Sequence, residues 1–389
     1  MSRRTLPRAA ARHKPQGDTG PAPRAAYSQP MTDPVLSFTD RGIYCPAGDF
    51  HIDPWRPVAR ALITHGHADH ARPGHGRYLA THAAVPVMRH RLGDIAVEGI
   101  GYDEPRQIGA ARVSFHPAGH IPGSAQIRVE VGGEVWVVSG DYKTTDDGFC
   151  EAFQPVRCHS FITECTFGLP VFRWAGQRQV AAQVNAWWAA NAAAGQVSVL
   201  GAYSLGKAQR LLSLVDPGIA PILTHGAVEA TNAVLRAQGY RLPPTRRVTA
   251  ETRAQDHPGA LVIAPPSALG TGWTRRFGTV STGFASGWMQ LRGIRRRRAA
   301  DRGFVLSDHA DWDGLLRAIR ETGAENVYPT HGYTDIFARH LSSLGLNAQP
   351  VPTEFGGPED DPAPDSDSPG ALARDSAATP PQATPGAAP

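Results

Sequence analysis

Short apolar runs of β type alternate along this chain with stretches whose apolar residues recur at helical spacing. ARVSFHPAG predicts a strand, and QIRVEVGGEVWVVSGDY predicts a hairpin turned at Gly132-Gly133, because paired glycines accept the positive φ of a tight turn. SFITECTFG predicts another strand, and QVAAQVNAWWAANAAAG a helix stopped by Gly195. VSVLGAY followed by SLGKAQRLLSLV reads as strand then helix, and PILTHG followed by AVEATNAVLRAQG repeats that order. ALVIAPP, RFGTVSTGF and GFVLSD predict further strands, before helix DWDGLLRAIRETG, strand NVYPTHG and helix YTDIFARHLSSLG. Hairpins dominate the first third and β-α alternation the middle, a change that predicts a mixed-sheet domain interrupted by a second α/β unit. No internal repeat stands out.

Composition narrows the class. A chain of 389 residues has room for two domains or one elaborated α/β domain. No apolar run reaches the roughly 18 residues of a membrane span, and the N-terminus has basic residues without an apolar signal core. The four cysteines (Cys45, Cys150, Cys158, Cys165) lack CxxC spacing and fit neither a disulfide framework nor a thiolate zinc site, so reduced thiols in a cytoplasmic protein are expected. The net charge of +4 hides an asymmetry: residues 1–33 carry +4 and residues 354–389 carry −6, which leaves +6 for the span between. The first of these ends reads as a disordered basic arm and the second, rich in Pro, Ala, Ser and acid, as a disordered acidic tail. A moderately basic body suits a polyanionic substrate.

Candidate chemistry concentrates in Thr64–His70, THGHADH, where three histidines and a carboxylate share seven residues. Buried without partners, such groups would cost several kcal/mol, so the stretch is either a solvated loop or a binding site. In a turn followed by a helix start, His65 and His67 project to one side while Asp69 and His70 are offset from them. That spacing offers two ligands to one metal and two to a neighbour. Imidazole with carboxylate, and no thiolate, suits Zn²⁺ or Mn²⁺ in a catalytic site. Further candidates lie on polar, Gly-flanked turns after β-type runs: His120 in AGHIPGS, Asp141 in SGDYK, His309 in LSDHAD and His331 in PTHG.

The HxHxDH string, the GHxxGS histidine and the strand-end Asp resemble the metallo-β-lactamase fold. TECTFG, SDHAD and PTHG resemble motifs A, B and C of its nucleic-acid-cutting β-CASP branch, and GAYSLGKAQRLL resembles that branch's strand-to-helix element. Within the branch, GIYCPAGDFHIDPWRPV and SGDYKTTDDGFCEAFQPVRCHSFITECTFGLPVFRW are similar to the bacterial DNA-ligase-associated exonuclease group. The resemblance covers roughly 34–353. It implies an αββα sandwich with an inserted β-CASP domain: residues 34–165 and 281–353 form the two segments of the sandwich, and 166–280 the insertion. It implies two divalent metal ions, Zn²⁺ foremost with Mn²⁺ possible, acting through dinuclear-metal-activated water. His65, His67 and His120 would hold the first ion, and Asp69, His70 and His331 the second, with Asp141 bridging. His309 would be the general acid, oriented by Glu164, and Asp53 would brace the metal loop from behind. The implied activity is phosphodiester hydrolysis, exonucleolytic on DNA, in repair alongside a DNA ligase.

Other residues divide between plain and functional readings. Ser204 and Lys207 flank a helix start, where free N–H groups favour phosphate, though an ordinary cap and a solvated Lys would look the same. Ser307 is a cap-type residue beside His309 and a further phosphate candidate. Arg295–Arg298 either track a nucleic-acid backbone or form a solvated face. Trp187-Trp188 read as core, and His225, in a second THG triplet, as a turn residue rather than a ligand. An RNA-processing β-CASP ribonuclease is the nearest rival function and a catalytically silent nucleic-acid-binding scaffold a more distant one. A small-molecule hydrolase does not account for motifs A to C.

Overall fold

The computed structural model describes residues 34–293 and 300–351; the basic arm, Arg295–Arg298 and the acidic tail lie outside the described residues. Three sheets carry the fold. The first holds β1 (Ser37–Thr39), β2 (Gly42–Cys45), β3 (Phe50–Ile52), β4 (Arg60–Leu62), β5 (Arg77–Thr81) and β6 (Val97–Ile100), side by side in that order. The second runs β19-β18-β11-β10-β9-β8-β7, from β7 (Arg106–Ile108), β8 (Ala111–Pro117), β9 (Ala125–Val131), β10 (Glu134–Val138) and β11 (Ser160–Cys165) to β18 (Asn326–Gly332) and β19 (Asn347–Ala348). The third, wholly parallel, runs β14-β13-β15-β12-β16-β17. Its strands are β12 (Val197–Gly201), β13 (Ile222–Thr224), β14 (Arg246–Arg247), β15 (Leu261–Ala264), β16 (Val280–Ala285) and β17 (Arg302–Phe304).

Alternating side chains turn the first two sheets into a sandwich. Phe50, Ile52 and Leu62 from one meet Phe115, Ile127 and Trp136 from the other in a shared core. Burying each such side chain contributes about 1.5–3 kcal/mol. Helices cover both outer faces. Helix α1 (Ala84–Leu92) packs through Ala84 and Met88 on Ala61 and Ile63 of the first sheet's side. Two later helices, Trp312–Thr322 and Thr334–Ser343, pack through Leu315, Ile319, Phe337 and Leu341 on Phe161 and Val327. The result is the αββα arrangement of a mixed α/β metallo-β-lactamase-like fold. The parallel third sheet is covered on one face by α2 (Gln177–Ala193) and α3 (Lys207–Leu214), with Trp187 and Trp188 in the core. Helix α4 (Gly226–Ala237) follows β13, and its Val228 joins that core. The β9–β10 hairpin turns at Gly132 and Gly133, whose φ values of 59° and 89° permit the tight reversal.

Two local features differ from the sequence reading, and the helix over Ala84–Leu92 has no counterpart in it. The first sheet is antiparallel only across β1–β3; β3 to β6 pair in parallel, on strands of three to five residues that carry too little alternation to announce themselves. Helix α1 carries Pro86 in its first turn, where a missing N–H costs nothing, so the proline does not break it. Finally, β16 and β17 hydrogen-bond within the third sheet. The chain therefore stays with that sheet through Phe304, beyond the expected return at 281.

Candidate metal centre

The site gathers where strands of the two sandwich sheets end. Asp53 follows β3 with a φ of 44°, an uncommon conformation for a residue with a side chain. Its carboxylate accepts the backbone N–H of Thr64 at 2.8 Å, the Thr64 hydroxyl at 2.6 Å and the Nδ1–H of His70 at 2.8 Å. The THGHADH loop folds back on itself, the N–H groups of His70 and Ala71 donating to the His67 carbonyl. Asp69 and His70 thus sit in a turn rather than at the helix start expected from the sequence, because no helix follows the loop before Ala84.

Three imidazoles converge beside this loop. His65 Nε2 lies 3.1 Å, and His120 Nε2 3.0 Å, from His67 Nδ1. The three rings meet nearly edge-on, at 80–83°. The outward nitrogens are committed elsewhere: His67 Nε2–H donates to the Leu205 carbonyl at 3.2 Å, and His120 Nδ1–H to the Asp308 carbonyl at 2.9 Å. The converging nitrogens are therefore lone-pair donors. Burial, before any neighbouring charge, pushes His65 and His120 well below their ordinary pKa. Asp141 Oδ2 stands 3.5 Å from His65 Nε2, 3.7 Å from His120 Nε2 and 3.5 Å from His70 Nε2, so one carboxylate faces both halves of the cluster.

On the other side of Asp141 lie His70, Asp69 and His331. Asp69 Oδ2 is 3.6 Å from His70 Nε2, and the His70 and His331 rings are 5.2 Å apart. His331 reaches this place through a bulge. Along β11 and β18, Glu164 opposes Thr330 but Cys165 opposes Gly332, so His331 is skipped, with a φ of 48°. The same register sets Glu164 next to motif C. Both carboxylate oxygens of Glu164 lie 2.9–3.0 Å from His309 Nδ1, and Oε1 also accepts the Tyr142 N–H at 2.8 Å. Burial works against a charged His309, but Glu164 and then Asp141 outweigh it and raise the imidazole to about 9.

The donor set fits two divalent cations. Lone pairs of the buried His65 and His120 held 3.0–3.1 Å from that of the half-buried His67 repel it unless a cation stands between them. Ligands of a tetrahedral Zn²⁺, bound at about 2.0–2.1 Å, have a comparable mutual spacing. Among the described residues, His70 Nε2 is buried without a hydrogen-bond partner. Burial opposes charge on His70, yet Asp141, Asp69 and Asp53 raise it well above its ordinary value, so this half of the cluster attracts positive charge. The groupings His65–His67–His120–Asp141 and His70–Asp141–His331 each bring their ligand atoms within 4.8 Å.

The weaker candidates separate. Ser204 Oγ is buried and lacks a hydrogen-bond partner among the described residues. Lys207 is buried and paired with Asp308 at 3.0 Å, so it is not a solvated lysine. Ser307 Oγ accepts the His309 N–H, and its carbonyl accepts Lys143 Nζ. The cap of the following helix is Asp311 rather than Ser307, accepting from the Gly314 N–H. His225 caps α4 by accepting the Ala227 N–H. Arg210 escaped the sequence reading. Fully buried on α3, it pairs with Asp308 and, at 2.5 Å, with Asp147, and donates to the His120 carbonyl at 3.1 Å. Its partners lie 60 to 98 positions away in sequence, so no local pattern marked it.

No family model matches the chain. Among curated proteins it is similar to the "Probable DNA ligase" of Opitutus terrae, with 31% identity over 310 residues that span 79% of this chain and 30% of that protein. It is also similar to Endoribonuclease ysh-1 of Neurospora crassa, 25% identical over 193 residues (40% of this chain, 22% of the relative). Cleavage and polyadenylation specificity factor 73 of Drosophila melanogaster is 24% identical over 189 residues (40% and 27%). The chain thus spans less than a third of these relatives. A crystal structure of a protein of unknown function from Enterococcus faecalis shares the fold, with a TM-score of 0.51 and 11% identity over 76% of this chain and 80% of that one. A metallo-β-lactamase-like fold, a two-sided histidine–carboxylate cluster and relatives named as endoribonucleases and a probable DNA ligase together make this chain similar to metallo-β-lactamase/β-CASP nucleases.

Proposed function

We propose that the protein is a metal-dependent phosphodiesterase, a DNA exonuclease acting in repair alongside a DNA ligase. One observation carries the reading: Asp141 stands between two ligand groups while the His309–Glu164 pair flanks the same carboxylate. His65, His67 and His120 would hold one divalent cation, and Asp69, His70 and His331 a second, with Asp141 shared between them. When bound, the two cations supply Lewis acidity toward water and charge neutralisation toward the phosphodiester. Asp53 keeps His70 turned so that Nε2 faces the cluster. Glu164 accepts the Nδ1–H of His309, which leaves Nε2 to carry the proton that the departing oxygen takes up. Glu164 then steadies the ring as it alternates between charge states.

DNA is favoured by the ligase-named relative, whose similarity covers twice as much of the chain as that of the endoribonuclease-named ones. Those relatives favour a second reading, hydrolysis of RNA. A catalytically silent scaffold would have no use for the complete ligand set. The test is a time course on 5′- and 3′-labelled single- and double-stranded DNA, with matched RNA, in Mn²⁺ or Zn²⁺. Progressive release of nucleotides from DNA is expected. Cleavage of RNA alone would replace the first reading by the second, and intact substrates throughout would overturn both.

A further inference from the structure

The three histidines assigned to the first ion have their outward ring nitrogens fixed from three different places. His65 Nδ1 lies 3.1 Å from Thr64 Oγ1, inside its own loop, and His120 Nδ1–H donates to the Asp308 carbonyl. His67 Nε2–H donates to the Leu205 carbonyl, in the turn that leads into α3. A carbonyl only accepts, so this contact puts the proton on Nε2 and leaves the Nδ1 lone pair facing His65 and His120. The tautomer of His67 therefore depends on where the Leu205 carbonyl stands.

The Ser204–Gly206 turn is held on both its apolar and its polar side. The Leu205 side chain is buried in a cluster with Val87, Ile121 and Leu235. Gly206 has a φ of 86°, and a Cβ there would collide with Ile121, so the backbone runs directly against the residue after His120. The polar side belongs to Gln209, fully buried in the first turn of α3. Its Oε1 accepts the Gly206 N–H at 2.8 Å, and its Nε2 donates to the Ser204 carbonyl and to Asn232 Oδ1, both at 2.9 Å. Asn232, itself buried on α4, donates onward to Glu229 at 3.2 Å. One carboxamide thus ties the residue before Leu205 to the residue after it and anchors both to α4. A helix cap accounts for the first of these bonds alone. An apolar side chain of similar length would fill the space without the cost of burying an amide. What the carboxamide adds is a turn with one position.

We propose that Gln209 is a positioning residue for the first metal ion. By clamping Ser204 and Gly206 it keeps the Leu205 carbonyl where it selects the Nε2–H tautomer of His67 and turns Nδ1 to the cluster. The proposal rests on His67 as a ligand in the nuclease reading. It makes the first ion, and not the second, depend on a side chain four positions beyond the carbonyl it controls.

The test measures the Zn²⁺ affinity of the full chain by competition with a chromophoric chelator, in two backgrounds. His331→Ala leaves the ligands of the first ion intact, and His67→Ala those of the second. In the His331→Ala background, Gln209→Met is expected to weaken binding about 10-fold, the lower end of the range for outer partners of a ligating histidine. Gln209→Glu keeps the acceptor for the Gly206 N–H but loses both donors, and its affinity should fall between. In the His67→Ala background neither substitution should change the affinity. Leu211→Ala truncates the core on the same helix and controls for lost stability, so it should keep the affinity of its His331→Ala parent. Nitrogen NMR of the metal-free chain, labelled on histidine, reads the tautomer itself. His67 should be protonated on Nε2 in the wild type and a mixture of tautomers in Gln209→Met. First-ion affinity unchanged in both Gln209 variants overturns the positioning role, as does a single tautomer in Gln209→Met. An equal loss in Leu211→Ala or in the His67→Ala background overturns it too. A His67→Ala chain that binds two Zn²⁺ ions as tightly as the wild type overturns the ligand assignment, and the positioning role with it.

Discussion

Asp308 holds His120 by its backbone and Arg210 by its side chain. The Asp308 carbonyl accepts the His120 Nδ1–H at 2.9 Å, and its carboxylate takes Lys207 and Arg210, both from α3. Arg210 closes the ring by donating to the His120 carbonyl. The tautomer and the position of one cluster histidine are therefore set by a helix that packs on the third sheet. Burial works against charge on Asp308, but Lys207 and then Arg210 keep its carboxyl well below the usual carboxylate range.

Replacing Arg210 with Met leaves the Asp308 and Asp147 carboxylates buried with less compensation. Removing one member of a buried ion network costs about 3–5 kcal/mol. Denaturant unfolding of Arg210→Met should show a loss of that order, with weakened metal binding at the His120 side. A loss under about 1 kcal/mol would mean that water replaces the guanidinium.

Asp53 accepts three hydrogen bonds from the loop that carries His65, His67 and His70. Outer partners of metal-binding histidines are typically worth about 10- to 100-fold in metal affinity. Chelator competition on Asp53→Ala should show a drop in that range, and unchanged affinity would remove Asp53 from the bracing role.

Glu164→Gln keeps the shape of the side chain and removes the charge that raises His309. Loss of a positioned proton donor costs about 10²- to 10⁴-fold in turnover. Turnover should fall within that range while metal content per chain stays at the wild-type value. Wild-type turnover would show that the leaving oxygen takes its proton elsewhere.

His75 lies away from the cluster, its Nδ1 accepting the Val58 N–H, and burial pushes it down to about 4. The native state thus keeps this ring neutral while the unfolded chain protonates it near pH 6.5. Its contribution to stability is fully present above pH 6.5 and is lost as the pH falls toward 4. His75→Asn should flatten the acid limb of the stability curve between pH 7.5 and 5, measured by denaturant unfolding, and parallel limbs would contradict this.

The two β-α repeats, from VSVLGAY to AVEATNAVLRAQG, were legible because each strand and helix carries its own periodicity. THGHADH was legible because its ligand-type residues are neighbours in sequence. His331 was visible as a residue, but the bulge that aims it belongs to the pairing of two strands some 165 positions apart. Arg210 had no signal at all, since AQRLL reads like any amphipathic helix until Asp147 and Asp308 close over it. The short parallel strands of the first sheet, and the long stay of the chain in the third, likewise depend on partners rather than on local pattern.

Metal stoichiometry tests the central claim most directly. Elemental analysis of the full chain, loaded with Zn²⁺ or Mn²⁺ and desalted, should give about two ions per chain in the wild type, the number the donor set fits. His331→Ala should retain about one. A wild type that retains none, or a His331→Ala chain that keeps both, would contradict the account.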